Sequence, residues 1–105
     1  MPSMTNTESP EAVAGELWEF SLYVANRTPR SLNAMLDLKQ ICENHLAGHY
    51  RIEVVDVLEQ PERAKSDQIV AIPTVVRKSP PTIRRVIGDL SKTERVLAAL
   101  DIRRA

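Results

Sequence analysis

The sequence holds one cysteine, Cys42, which excludes an internal disulfide and the C-x-x-C dithiol of a disulfide oxidoreductase. Glycine is nearly as scarce. Gly15, Gly48 and Gly88 are too widely spaced to build a phosphate-cradling loop. Neither sign of charge is in excess, with 14 Lys and Arg against 14 Asp and Glu, so bulk charge does not draw the chain to nucleic acid or to an acidic membrane. Aromatics, at 4%, leave few platforms on which bases could stack. No run approaches the roughly 18 apolar residues of a membrane span, and no basic stretch leads into an apolar one as in a secretory signal. The expectation is one soluble, cytoplasmic domain with a modest core and neither nucleic acid nor membrane as partner.

What is present reads as alternating strands and helices. Residues 1–16, rich in Ser, Thr, Pro and Glu without an apolar period, have the composition of a flexible lead-in. That leaves residues 17–105 as the folded domain. Leu17-Trp18-Glu19-Phe20-Ser21-Leu22-Tyr23-Val24-Ala25 alternates Trp18, Phe20, Leu22 and Val24 onto one face, which predicts a strand central in its sheet. Thr28 can cap a following helix whose first position Pro29 suits, since a missing N–H costs nothing there. Leu32, Met35, Leu36, Ile41, Cys42 and Leu46 would form its apolar stripe, and Gly48 would end it. Residues 50–57 read as a second strand, with Ile52, Val54 and Asp56 on one face and Arg51, Glu53 and Val55 on the other. Pro61 opens a short helix expected to reach about residue 70. Strands at 74–78 and 82–87 flank a Pro80-Pro81 corner, and Ile72-Pro73 is an X-Pro bond of the kind that can fix a tight backbone path. Ser91-Lys92-Thr93-Glu94 has the form of a capping box, leading into a last helix that buries Val96, Leu97, Leu100 and Ile102. The order βαβαββα predicts an α/β fold with a mixed four-stranded sheet and helices on both faces, the thioredoxin-like arrangement.

Reactive chemistry is missing from this frame. A thioredoxin-type enzyme keeps a thiolate at the mouth of the first helix, where helix dipole and backbone donors lower its pKa. Here that mouth reads Arg27-Thr28-Pro29-Arg30-Ser31, and Cys42 lies more than three turns downstream on the apolar stripe. His45 and His49 are four apart, but Gly48 intervenes and no carboxylate or thiolate is placed to complete a metal site. They read as solvent-exposed. Ser31 and Ser91 stand at helix starts rather than as nucleophiles. No catalytic constellation, cofactor or metal is expected, and binding is the remaining class of function.

The candidate surface is basic. Arg77, Lys78, Arg84 and Arg85 crowd two strands that should pair, and like charges across a ladder are mildly unfavourable. Such a cluster serves either as a solvated edge that blocks unwanted strand pairing or as a docking patch for an acidic protein surface.

Leu22-Tyr23-Val24-Ala25, Thr28-Pro29 with Ser31, Val55-Asp56-Val57-Leu58, Pro61, Ile72-Pro73-Thr74 and Arg84-Arg85-Val86-Ile87-Gly88-Asp89-Leu90-Ser91 together resemble the KaiB family of circadian-clock proteins, over about residues 17–102. The resemblance implies a non-catalytic protein that docks on a RecA-like ATPase ring of the KaiC type. It also implies a chain able to adopt two folds, a thioredoxin-like monomer and an alternative that assembles into tetramers, with the second half of the chain changing. Positions matching the ring-binding and basic surface are Gln68, Thr74, Arg77, Arg84 and Arg85, with Gln68 standing where the family usually has Lys. The neighbouring sensor domain of clock histidine kinases shares the fold, so the alternative reading is a sensor or interaction module that binds a histidine kinase or another protein in stress signalling.

The departures from the family carry their own expectations. Asn26 stands where the family's turn has Gly, and Asn tolerates positive φ better than most residues. Arg51 and Glu53 replace a small residue and a lysine where the family contacts a KaiA-type partner, a reversal that argues against that contact. The family's acidic C-terminal tail is missing, since the sequence stops at Ala105, and with no kinase domain in it a stand-alone adaptor is expected. Ala98-Ala99 replaces a common Gly, favouring helix by about 1 kcal/mol. Val75 and Val76 are β-branched and favour strand. With Pro73 and Asp101, these residues (Val75, Val76, Ala99) are expected to bias the chain toward the thioredoxin-like state.

Overall fold

The computed structural model describes residues 17–26, 28–88 and 90–102. The lead-in at 1–16, Arg27 at the helix mouth and Asp89 of the Gly-Asp turn lie outside them. The elements run β1 (Trp18–Val24), α1 (Pro29–Leu46), β2 (Tyr50–Asp56), α2 (Pro61–Ser66), β3 (Thr74–Ser79), β4 (Arg84–Ile87) and α3 (Thr93–Ala99). The sheet order is β2-β1-β3-β4, with β1 parallel to β2 and antiparallel to β3, and β3 antiparallel to β4. This is the expected βαβαββα thioredoxin-like fold, and β1 is central.

Alternation along β1 divides the core. Trp18, Phe20, Leu22 and Val24 face α1 and α3, where Leu38, Ile41, Leu46, Val75, Leu90, Val96 and Leu100 join them. Tyr23 turns to the opposite face and meets Val55 and Val76 beneath α2. Thr28 caps α1 by accepting from the Ser31 N–H at 3.2 Å, with Pro29 in the first turn. Gly48, at φ +80°, turns the chain out of the helix into β2.

Four expectations are corrected. In α1, the buried positions are Ser31, Ala34, Leu38, Ile41, Cys42 and Leu46, while Leu32 is 42% and Leu36 67% exposed. The helix overhangs β2, the last strand on that side, so nothing lies beyond to cover its outer flank. α2 ends at Ser66, well short of residue 70, because Gln68 takes a left-handed φ of 56° that breaks helical progression. β4 starts at Arg84 rather than 82, Arg84 with Arg77 being the last pair of the β3–β4 ladder before the turn through Pro80 and Pro81. The capping box does not form as expected. α3 begins at Thr93 with Lys92 at its N-cap and no side-chain cap bond. Its C-terminus is better closed: the Ile102 N–H donates to Leu97 O (2.9 Å) and the Asp101 N–H to Ala98 O (3.2 Å), a Schellman arrangement around Asp101 at φ 53°.

Candidate partner-binding surface

The cross-strand register splits the basic cluster. Arg77 pairs with Arg84 and Val76 with Arg85, so Arg77 and Arg84 lie on the α1–α3 face while Lys78 and Arg85 lie on the α2 face. Directly opposed arginines would repel, and the fold avoids this by turning Arg77 inward. Arg77 is buried. Its Nη1 donates to Leu100 O (2.9 Å) and Asp101 O (3.3 Å), its Nη2 donates to Thr82 O, and its guanidinium lies 5.2 Å from the Trp18 ring centroid. A cation at the carbonyl end of a helix is favourably placed. Arg77 therefore pins α3 and the 80–83 loop to the sheet and is not exposed with Arg84 on the expected basic surface.

Thr74 is also buried, its Oγ1 donating to Ala71 O at 2.7 Å. Lys78 is neutralised, with Nζ 2.6 Å from Asp67 Oδ2. The expected surface that remains exposed is Gln68, Arg84 and Arg85. Arg85 Nη1 donates to Gln68 O at 3.4 Å, which brings the turn after α2 beside β4. Ile83 (54% exposed), Ile87 and Val70 add apolar area to this end of the molecule. Of the positions expected to bias the fold, Pro73, Val75 and Val76 are fully buried, Ala99 is the exposed last residue of α3, and Asp101 closes that helix.

Sequence reasoning missed the polar cluster under α2. The Tyr23 hydroxyl donates to Asp67 Oδ2, and Asp67 also holds Lys78. Beside them Arg63 grips Glu53 through two bonds of 2.7 and 2.9 Å. Burial pushes the Tyr23 phenol up to about 12, with Asp67 adding to the shift. Burial also opposes ionisation of Asp67, but the bonds from Lys78 and Tyr23 outweigh it and hold the carboxyl below its usual range. The Arg63 bonds lower Glu53. The available signal was Tyr23 itself: on the opposite face from the Trp18–Val24 stripe, a buried phenol needs a partner for its hydroxyl.

Cys42 is fully buried in the core, and burial raises its thiol to about 12, the reverse of a redox-active thiol. His45 and His49 are half-buried rather than exposed. No group of three metal-ligating residues exists among the described residues, and no helix among them is long and apolar enough to cross a membrane.

Sheet order, a buried thiol and a helix mouth of Thr28, Pro29 and Arg30 define a thioredoxin-like domain without the redox dithiol. The fold matches the solution structure of the N-terminal domain of Synechococcus elongatus SasA, with a TM-score of 0.68 at 24% identity, covering 88% of this chain and 86% of that one. It also matches chloroplastic thioredoxin z, with a TM-score of 0.62 at 17% identity over 87% and 86% of the two chains. The KaiB domain model matches residues 21–102. The circadian clock oscillator protein KaiB of Prochlorococcus marinus subsp. pastoris is 48% identical over 90 residues, 86% of this chain and 84% of that protein. The circadian clock protein KaiB3 of a Synechocystis species is 43% identical over 81 residues, 77% and 79% of the two chains. The chain belongs to the KaiB family of non-catalytic circadian-clock proteins.

Proposed function

We propose that this chain is an adaptor that docks on a RecA-like ATPase ring of the KaiC type and modulates its phosphorylation and ATPase cycle. The observation that carries the reading is the β4 end of the sheet. There Arg84 and Arg85 are both exposed, neither makes an ion pair among the described residues, and Ile87 and Val70 stand bare nearby. Guanidinium groups on the two sides of one edge strand, beside apolar side chains, suit an acidic protein surface that meets the β4 edge. The relatives are named as clock oscillator proteins, which supports this reading.

The test is a pull-down with a KaiC-type ring, with and without ATP, using wild type and the double variant Arg84→Glu/Arg85→Glu. Nucleotide-dependent capture is expected, weakened at least about tenfold in the variant. Absence of capture refutes the reading, and undiminished capture of the variant moves the interface away from β4.

A further inference from the structure

β4 closes one side of the sheet, and one bond fixes its backbone polarity. The Gly88 N–H donates to Pro73 O at 2.8 Å, one step beyond the Thr74–Ile87 pair of the β3–β4 ladder. In an antiparallel ladder a residue's N–H and C=O point to the same side, and successive residues alternate. Arg84 and Val86 therefore bond to β3. Arg85 and Ile87 direct their N–H and C=O away from the sheet, where no further strand lies. Side chains alternate as well. Arg85 and Ile87 stand on the α2 face, while Arg84 and Val86 stand on the α1–α3 face, where Val86 packs against the core. Arg84, Arg85 and Ile87 are exposed. One short strand thus offers unpaired backbone donors and acceptors, a guanidinium on each face and a bare apolar side chain.

We propose that this edge takes up an extended acidic segment of a partner protein as a fifth strand, antiparallel to β4. An antiparallel newcomer exchanges both bonds with Arg85 and both with Ile87. Each of its side chains shares a face with the β4 side chain directly opposite. Read from its N-terminus, the segment carries an apolar residue opposite Ile87, a small or polar one opposite Val86, then acidic residues opposite Arg85 and Arg84. Consecutive strand residues point to opposite faces, so two adjacent carboxylates reach both arginines. The second meets Arg84 at a non-hydrogen-bonded position, where side chains approach most closely. Parallel addition has slanted, slightly weaker bonds, which favours the antiparallel sense. Charge selects the occupant. Neither arginine makes an ion pair among the described residues, and the 3.4 Å bond from Arg85 to Gln68 O leaves its charge unneutralised. A basic segment is repelled, and two copies edge to edge would set arginines against arginines.

The probe is a blocked peptide of sequence Thr-Val-Thr-Glu-Glu-Thr, titrated into the full chain and followed through backbone amide shifts and hydrogen exchange. Binding should slow exchange at Arg85 and Ile87 and leave Val86, already bonded to β3, unchanged. N-methylation of the valine and the first glutamate, whose N–H groups would face β4, should weaken binding about tenfold or more. The same change at the middle threonine and the second glutamate, whose N–H groups would face solvent, should alter it less than about threefold. The reversed sequence Thr-Glu-Glu-Thr-Val-Thr and the variant Arg84→Glu/Arg85→Glu should each bind at least about tenfold more weakly. No binding, binding without slowed exchange at Arg85 and Ile87, equal loss from both N-methyl patterns, or a reversed peptide that binds as well overturns the proposal. The titration contains no ring, so its failure and a failure of ring capture are read separately.

Discussion

On its α1–α3 face the sheet buries Phe20, Leu22 and Val75 under Leu38, Leu46, Val96 and Leu100, whereas on its α2 face the buried apolar cluster among the described residues is the smaller set Tyr23, Val55 and Val76. α2 itself has no buried residue. It is tied down by Arg63 on Glu53 and, just beyond its end, by Asp67 on Lys78 and Tyr23. Apolar contact carries no titrating group and is not screened by salt, while partly solvated ion pairs respond to both pH and screening. The first face therefore sets global stability, and the second sets how firmly the 67–73 turn is held beside β4. The adaptable attachment and the candidate docking residues share one end of the molecule, as expected where local opening and binding are linked.

Leu38→Ala should have the largest effect. Leu38 is fully buried, and truncation there removes transfer free energy and leaves a cavity, at a cost of about 2–5 kcal/mol. Urea unfolding should show the midpoint falling with the slope unchanged. A loss below about 1 kcal/mol would mean that the α1–α3 face does not dominate stability.

Asp67→Asn tests the polar face and should cost less, roughly 1–3 kcal/mol, by breaking a charge-assisted contact with Lys78. Because Asp67 in the folded chain lies below its usual range, its contribution is complete above the unfolded value near 4 and is lost as pH falls through the lower folded value. Wild-type stability should thus decline in acid more steeply than that of the Asn variant. The alkaline limb carries the opposite sign. Tyr23 is raised from 10.0 to about 12, so its contribution is complete below about pH 10 and disappears as pH rises toward 12. Tyr50 is also raised to about 12, chiefly by its bond to Glu43. Tyrosinate absorbance should therefore show both phenols titrating late in wild type, with one shifting down in Asp67→Asn. Two unshifted phenols in the variant would separate Tyr23 from Asp67.

The two faces were also unequally legible in the sequence. Strict alternation in β1 exposes the Trp18, Phe20, Leu22 and Val24 stripe, and Thr28-Pro29 marks the start of α1 through local chemistry alone. Leu32 and Leu36 misled because helical spacing identifies apolar positions, not whether the neighbouring strand is the last in the sheet. The basic cluster was visible as composition, but its division depended on the Arg77–Arg84 register, which alternation within each strand does not fix. Arg77 became a pin for α3 because Leu100 and Asp101 carbonyls happen to lie above it, a contact between residues more than twenty positions apart. Asp67 lacked any local signal; its role exists only once α2 is folded back over Tyr23.

The smallest effect is expected at Gln68. Its φ of 56° crowds a side chain bearing a Cβ, at a cost of roughly 1–2 kcal/mol, and a glycine there removes that strain while adding about 0.5–1 kcal/mol of chain entropy to lose on folding. Gln68→Gly should raise stability by up to about 1 kcal/mol in urea unfolding, the reverse of the other two substitutions. Asn26, at φ 57°, gains less from the same change because Asn already tolerates this region. Gln68 also stands beside Arg85 on the proposed docking surface, so the variant should bind the ring more weakly while folding more firmly. Stability and affinity moving apart would show that the turn keeps a strained glutamine for what its side chain contacts outside the chain; both falling together would make Gln68 a structural residue of the α2 face.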